Sequence, residues 1–114
     1  MARVAVHFLV PHFEDKSLGE GKLHPPFRWI RLQGELEQLF EGWSILSESV
    51  RGAWIEPSTG RRVEDISTEY VVDVDESRLQ ELRDLMRQVA ADFCQQVIRV
   101  VIRGEVEYIG RATP

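Results

Sequence analysis

The sequence predicts an α+β fold in which two helices cover one face of an antiparallel sheet. Two observations predict it. Four segments alternate apolar and polar residues, as half-buried strands do, and two carry apolar residues at the three- and four-residue spacing of an amphipathic helix. The segments follow one another in the order β, α, β, β, α, β. The chain has 114 residues, the length of one domain, which we expect to cover residues 1–114.

The first half of the chain begins with a strand and a polar loop. The strand is predicted over residues 3–10, where the even positions are apolar: Val4, Val6, Phe8 and Val10. Residues 11–26 contain three prolines and two glycines, which favour a loop. Apolar residues at helical spacing predict the first helix over residues 27–40, with Pro26 just before it and Gly42 just after it.

A hairpin and a second helix follow. Residues 43–55 and 61–74 are the predicted strands of the hairpin, because Pro57 favours a turn between them and Gly60 can adopt a positive φ. The second helix is predicted over residues 75–93, with Asp75 as its N-cap. The last strand is predicted over residues 96–104, and residues 105–110 can add a short extra strand.

This order of elements is that of the ferredoxin-like βαββαβ sandwich. Right-handed crossovers in its two βαβ halves place the strands in the order 4-1-3-2 and both helices on one face of the sheet. We therefore expect this order, with the hairpin between the second and third strands protruding and the second face of the sheet bare.

The bare face is predicted to combine charged and apolar side chains. Its members include Arg3, Leu9, Glu69, Val71, Arg99, Val101 and Arg103. One interpretation is a solvated face whose charges pair across the strands. The other is a self-complementary surface on which two copies set arginines against acids and bury the apolar residues. We expect the second, and hence a homodimer or a higher homo-oligomer.

The tip of the hairpin is not explained by the core. It carries charges of both signs and one large aromatic ring, and its candidate ligand- or partner-binding residues are Trp54, Arg61, Arg62 and Glu64. Trp54 either rests on the aliphatic stems of the two arginines or docks on a neighbouring subunit.

Composition and charge argue against several classes of protein. A formal net charge of −5 is unfavourable for a general nucleic-acid binder. No segment reaches the roughly 18 apolar residues of a membrane span, and the N-terminus lacks the pattern of a signal peptide. We expect a cytoplasmic protein with no membrane association and no cofactor. The single cysteine, Cys94, excludes an internal disulfide and is expected to be a buried, inert thiol.

Histidines and carboxylates near the end of the first strand are the candidates for chemistry. His7, His12 and Asp15 are the candidate catalytic residues, since imidazole and carboxylate can act as base and acid. The candidate metal ligands are His12, His24 and Glu14. Their spacing matches no established motif, and solvated side chains in a polar loop are the simpler interpretation. The stretch "SLGEGK", residues 17–22, offers two glycines and a lysine for a phosphate, without the spacing of a P-loop.

A further pattern lies in the hairpin and just before the last strand. Its residues are Gly52, Trp54, Pro57, Gly60, Ser67, Phe93 and Gln95. On these residues, the segment 43–102 resembles a small bacterial family of uncharacterised function. The resemblance implies a ferredoxin-like fold and carries no reaction with it. The predicted fold is also similar to that of the PII signalling proteins, whose hairpin arm senses ligands, but none of their nucleotide-binding residues is matched.

The sequence thus predicts a self-associating binding or regulatory module without catalytic activity. The alternative is a small enzyme or a metal-dependent nuclease that uses the region of His7, His12 and Asp15. Metal content and activity on nucleotides distinguish these two interpretations.

Overall fold

The computed structural model describes residues 2–113 of the chain. Its elements are β1 Arg3–Pro11, α1 Pro26–Phe40, β2 Ser44–Ile55, β3 Arg62–Asp75, α2 Leu79–Asp92, β4 Val97–Ile102 and β5 Glu105–Gly110. A single turn of 3-10 helix, Glu76–Arg78, leads into α2. All strand pairings are antiparallel, so the predicted α+β class is confirmed.

The order of the strands differs from the predicted 4-1-3-2. The sheet has five strands and runs β2-β3-β1-β4-β5. β1 lies between β3 and β4, β2 pairs with β3, and β5 adds to the outer side of β4. The reason is the turn after β4: Arg103 and Gly104 have φ values of 54° and 77°, and two consecutive positive φ values make the tight turn that suits a hairpin. The chain folds back at once, and β4 becomes an inner strand.

The core lies between one face of the sheet and the two helices. Phe8 on β1 is buried together with its cross-strand neighbours, Tyr70 on β3 and Val100 on β4. The rings of Phe8 and Tyr70 stack with their centroids 5.2 Å apart. The helices contribute buried apolar stripes, whose central members are Leu32, Leu36, Leu82, Met86 and Val89. Each such side chain contributes about 1.5–3 kcal/mol on burial, which holds the helices on this face.

The ends of the helices follow from local sequence. Pro26 opens α1, where its missing N–H leaves no hydrogen bond unmade. The helix ends because Glu41 adopts a left-handed φ of 70° and donates its N–H to the carbonyl of Glu37. Asp75 caps the 3-10 turn rather than α2, since its carboxylate accepts from the N–H of Ser77 at 3.0 Å. For this reason α2 begins later than predicted.

The outer half of the β2–β3 hairpin is not covered by the helices. Residues 51–55 are exposed throughout, and the pairing continues to Ile55 opposite Arg62. Gly60 in the turn has the predicted positive φ, at 69°. Among residues 2–113, neither helix is long and apolar enough to cross a membrane.

Candidate functional site

An open groove of about 550 Å³ lies where the outer half of the hairpin meets the loop that follows β1. Its lining residues are Phe13 from the loop and Arg51, Gly52, Ala53, Arg62, Glu64, Asp65 and Ile66 from the hairpin. Two arginines, two acidic residues and one phenylalanine are therefore among the residues that line it. This mixture suits a small ligand that carries both signs of charge and a flat ring.

The register of the hairpin creates the groove. Gly52 lies opposite Asp65, and Ala53 lies opposite Glu64. The small residues of β2 therefore leave little side-chain bulk opposite the two acidic residues of β3, each on its own face of the hairpin. Gly52 matters most, because a Cβ atom there would lie 3.0 Å from Oδ1 of Asp65.

Phe13 reaches the groove because the loop extends the pairing of β1 with β3. The N–H of His12 donates to the carbonyl of Ile66 over 3.0 Å, which places the next residue, Phe13, beside Ile66. Phe13 also forms a β-bridge with Leu23, and its carbonyl accepts from Nε2 of Gln95 at 2.8 Å. The backbone is thus fixed while the residue stays 46% exposed, so its ring is accessible from solvent.

The carboxyl group of Asp65 differs from its neighbours because it is half-buried and unpaired. Burial alone raises its pKa above the ordinary value of 3.8, and no side chain among residues 2–113 offsets this with a hydrogen bond. Glu64, by contrast, pairs with Nη1 of Arg62 over 3.3 Å. A buried carboxylate without a partner is costly, and a cation bound in the groove would remove that cost.

Glu14, His24 and Arg28 form a second polar cluster next to Phe13. Nη1 of Arg28 lies 2.8 Å from Oε2 of Glu14 and 2.9 Å from Nδ1 of His24. The N–H of Glu20 and the guanidinium of Arg28 lower the pKa of Glu14. Burial lowers the pKa of His24, so the neutral imidazole is favoured. The three groups satisfy one another, and the cluster holds the loop in place.

The stretch 17–22 does not form a phosphate cradle. The carboxylate of Glu14 already occupies that space: Oε1 accepts from the N–H of Glu20 at 2.9 Å and lies 2.8 Å from the position of a Cβ atom at Gly19. The anion held by this glycine-rich turn is therefore one of the protein's own side chains.

The candidate catalytic residues do not come together. His7 lies on the bare face of the sheet, with Nδ1 3.2 Å from Oε2 of Glu69. The imidazole of His12 is on the helix-covered side, 2.9 Å from the hydroxyl of Thr68. Asp15 accepts hydrogen bonds from Ser17. Each side chain has a local partner, so His7, His12 and Asp15 are three separate structural contacts.

The candidate metal ligands are engaged elsewhere as well. Both ring nitrogens of His24 have partners, Arg28 and the carbonyl of Pro11, and Glu14 pairs with Arg28. Within residues 2–113, no group of three or more His, Cys, Asp or Glu side chains is placed to hold a metal ion. His12, His24 and Glu14 are neighbours in the fold, but they do not form such a group.

Cys94 is less buried than predicted. It is partly exposed, adopts a positive φ of 51°, and places its Sγ 3.8 Å from Oε2 of Glu14. Its backbone carbonyl accepts from the N–H of Asp15 at 2.9 Å. The residue therefore joins the connection after α2 to the loop that follows β1.

The candidate residues at the hairpin tip divide into two groups. Arg62 and Glu64 line the groove. Arg61 instead contacts Glu56 across the turn, with its Nη2 3.9 Å from Oε2, and Trp54 lies opposite Val63 with 43% of its surface exposed. The other six lining residues were not predicted from the sequence as binding residues: Phe13, Arg51, Gly52, Ala53, Asp65 and Ile66. The available signal was the pairing of a glycine with an acid, which depends on a register that the sequence does not reveal.

The predicted interface residues on β1, β3 and β4 share the face without helices. The pairing register sets Leu9 between Glu69 and Arg99, and in the next row it sets His7 between Val71 and Val101. Arg3 lies on the same face near the start of β1, by alternation from Leu9.

Arg103 is an exception among the predicted interface residues. It lies in the turn between β4 and β5, and its guanidinium contacts the carboxylate of Glu76. Its assignment to the bare face is wrong, because β4 ends at Ile102 and the chain reverses there.

Comparisons with known proteins give a common fold and no family. No family model and no curated protein matches the chain. A phage SAM lyase in complex with S-methyl-5'-thioadenosine superposes with a TM-score of 0.68 at 15% sequence identity, over 95% of this chain and 89% of that chain. A phage SAM lyase in the apo state gives a TM-score of 0.65 at 14% identity, over 97% of this chain and 91% of that chain.

This similarity corrects the expectation of a binding or regulatory module without catalytic activity. The two solved structures are enzymes, and they share the fold over nearly its whole length. The alternative interpretation, a small enzyme, is therefore the better supported of the two. The sequence alone does not reveal this relationship, because few residues are shared at 14–15% identity.

Proposed function

We propose that the chain is a small lyase that binds S-adenosylmethionine (SAM) in the groove and releases S-methyl-5'-thioadenosine. The observation that carries the proposal is the unpaired, half-buried carboxyl group of Asp65, in a groove that also holds two arginines and an exposed aromatic ring. Its fold, shared with phage SAM lyases, supports the choice of this ligand.

The groove matches the chemical groups of SAM one by one. The amino acid part of SAM has an ammonium group and a carboxylate, which suit Asp65 and a guanidinium from Arg51 or Arg62. The adenine ring suits the exposed ring of Phe13. A ligand with a charge of only one sign would leave either the acidic residues or the arginines of the groove without a partner. This argues for a ligand that carries both charges.

The reaction breaks the bond between the sulfonium sulfur and Cγ of the amino acid chain. Both electrons of that bond go to sulfur, which leaves as a neutral thioether within S-methyl-5'-thioadenosine. Two routes give a balanced reaction for the four-carbon fragment that remains. Its own carboxylate oxygen can attack Cγ and close a lactone, with no proton lost, or a base can remove a Cβ proton and leave a carbon–carbon double bond. Neither route needs an oxidant, a reductant or a metal.

The location of charge in the groove decides which contacts accelerate the reaction. Positive charge on sulfur disappears in the transition state, so a carboxylate placed against sulfur would stabilise the substrate more than the transition state. Asp65 is therefore assigned to the ammonium group, which keeps its charge throughout. The apolar walls formed by Ala53 and Ile66 are assigned to the sulfonium, because poorly solvating surroundings favour the loss of its charge.

The test is a product and binding assay on purified protein. Incubation with SAM should yield S-methyl-5'-thioadenosine and a lactone or an unsaturated amino acid, which mass spectrometry distinguishes. Calorimetry should detect binding of S-methyl-5'-thioadenosine. Asp65→Asn should lower the cleavage rate by about tenfold or more, because a charge-assisted contact to the ammonium group is lost.

Asp84→Asn is the matched control, since Asp84 lies on α2 away from the groove and pairs only with neighbours on its own helix. Equal rates for the wild type, Asp65→Asn and Asp84→Asn would contradict the assignment of the groove. Complete absence of SAM cleavage and of ligand binding would contradict the proposed function itself.

We also propose that the chain self-associates through the bare face of the sheet. Leu9, Val71 and Val101 give this face an apolar strip, and Arg99 and Glu69 lie on either side of Leu9. In a symmetric pair, arginines of one copy can meet acids of the other. Light scattering should give a mass above 13.2 kDa for the wild type, and Arg99→Glu should lower it. A monomeric wild type would refute the proposal.

The arrangement of the fold is proposed to be ferredoxin-like with an added edge strand. The pairings of β4 with β1, β1 with β3, and β3 with β2 support this, with β5 as the addition.

A further inference from the structure

We infer that Arg28 is a positioning residue for the groove, which fixes Phe13 by binding Glu14 and a neutral His24 at the same time. The inference rests on the proposed function, in which the ring of Phe13 contacts the adenine of the ligand. It assigns a role to a partly buried polar cluster that the reaction itself does not use.

The backbone geometry places Arg28 at the right point to act on Phe13. Phe13 forms a β-bridge with Leu23. Glu14 directly follows Phe13 in the chain, and His24 directly follows Leu23. One atom, Nη1 of Arg28, contacts both of these following residues, at 2.8 Å and 2.9 Å. The side chain of Arg28 therefore closes the open end of the bridged pair and ties it to α1.

The hydrogen bonds determine the tautomer of His24. A guanidinium can only donate, so Nδ1 of His24 must accept the hydrogen bond from Arg28. The ring proton is then on Nε2, which donates to the carbonyl of Pro11 at 2.9 Å. Protonation of Nδ1 would place an N–H donor and a positive charge on His24 directly against the N–H donor and the positive charge of Arg28. The network thus exists only while His24 is neutral.

The surroundings of His24 also favour its neutral form. The rings of Phe93 and Trp29 lie against the imidazole, with centroids 4.8 Å and 5.9 Å away, and exclude water from it. The charged and titratable groups that face it are Arg28 from α1 and Glu14 and His12 from the loop. Burial lowers the pKa of His24 below 6.5, and Arg28 lowers it further, while Glu14 and the carbonyl of Pro11 oppose this.

The same cluster gives the groove a pH dependence. A group with a depressed pKa in the folded state stabilises it fully above the unfolded value, here 6.5, and this contribution is lost as pH falls through the folded pKa. Acidification below 6.5 should therefore loosen the loop as His24 takes up a proton.

The experiment compares Arg28→Met with Arg31→Met, a change of an exposed arginine one turn further along the same helix. Two readouts need no ligand. In the wild type, ¹⁵N spectra should show His24 protonated at Nε2, and amide exchange of residues 12–24 should be slow. Arg28→Met should speed that exchange about tenfold or more, and Arg31→Met should not. Lowering the pH through the pKa of His24 should reproduce the effect in the unmodified chain.

The third readout is a double-mutant cycle with S-methyl-5'-thioadenosine as the probe. Phe13→Ala and Arg28→Met should each weaken binding about tenfold, and the double variant should be no weaker than either, because both remove the same contact. Independent losses that add would refute the positioning role, as would an Nδ1–H tautomer or unchanged exchange in Arg28→Met. If neither the wild type nor any variant binds the probe, the proposed function is wrong. The measurements of amide exchange and of the His24 tautomer then still decide whether Arg28 fixes Phe13.

Discussion

The absence of a side chain at Gly52 leaves room for the carboxylate of Asp65 on the paired strand: a Cβ atom at Gly52 would lie 3.0 Å from Oδ1. Gly52→Ala is expected to push this carboxylate aside while leaving the strand intact, because Gly52 is not among the glycines of positive φ. Binding of S-methyl-5'-thioadenosine should weaken about tenfold, or ~1.4 kcal/mol, by calorimetry. A variant that binds as the wild type does would show that the position of Asp65 is unimportant.

Gly34→Ala is the control for this change, and it carries a prediction of its own. Gly34 lies within α1 on its exposed side, and no atom lies within 4 Å of the position of its Cβ. Alanine in a helix interior is better than glycine by roughly 0.5–1 kcal/mol. Urea unfolding should show a gain of this size, with ligand binding unchanged. A loss of stability would indicate that something packs against this position.

The turn between β4 and β5 is expected to depend on Gly104. With φ at 77°, an alanine there is strained, and Gly104→Ala should lower the free energy of unfolding by about 1 kcal/mol or more. Arg103→Asn should be neutral or stabilising, since asparagine followed by glycine is the preferred pair for this turn. Equal stability of Gly104→Ala and the wild type would mean that β5 is not held by this turn.

The elements of the fold were predictable because their signals are local. The alternation along residues 3–10 and the stripe of Leu82, Met86 and Val89 specify strand and helix without reference to distant residues. The position of the fifth strand, by contrast, could not be predicted from local signals. Residues 105–110 carry only a weak alternation, and their place beside β4 follows from two positive φ values at Arg103 and Gly104. Positive φ at an arginine is rare, so composition does not reveal it.

The candidate site was less predictable because it depends on distant pairings. Phe13 and Ile66 meet only because the loop after β1 continues the sheet, and Gly52 meets Asp65 only in one register of a hairpin with two irregularities. The histidines were candidates for catalysis or metal binding because of their residue type, yet His12 and His24 serve as hydrogen-bond partners in the loop. The type of a side chain indicates which reactions or ligands it is suited to, but its neighbours in the fold decide whether it has that role.

The ion pair between Arg83 on α2 and Glu107 on β5 gives a prediction about acid stability. The pair is bidentate, with both N–O distances at 3.0 Å, and the hydrogen bond from Arg83 lowers the pKa of Glu107 below 4.5. A carboxyl group with a depressed pKa stabilises the fold above its unfolded value and loses that contribution as pH falls through the folded one.

Glu107→Gln should therefore lower the free energy of unfolding near neutral pH by up to about 1 kcal/mol, as expected for a pair that is partly exposed. The difference from the wild type should shrink as the pH falls below 4.5, because both proteins then carry a neutral group at this position. Urea unfolding at a series of pH values measures it, with Asp84→Asn as a control for a change of surface charge on α2. A difference that stays constant down to the acid limit would mean that the shape of the side chain, and not its charge, holds β5 to α2.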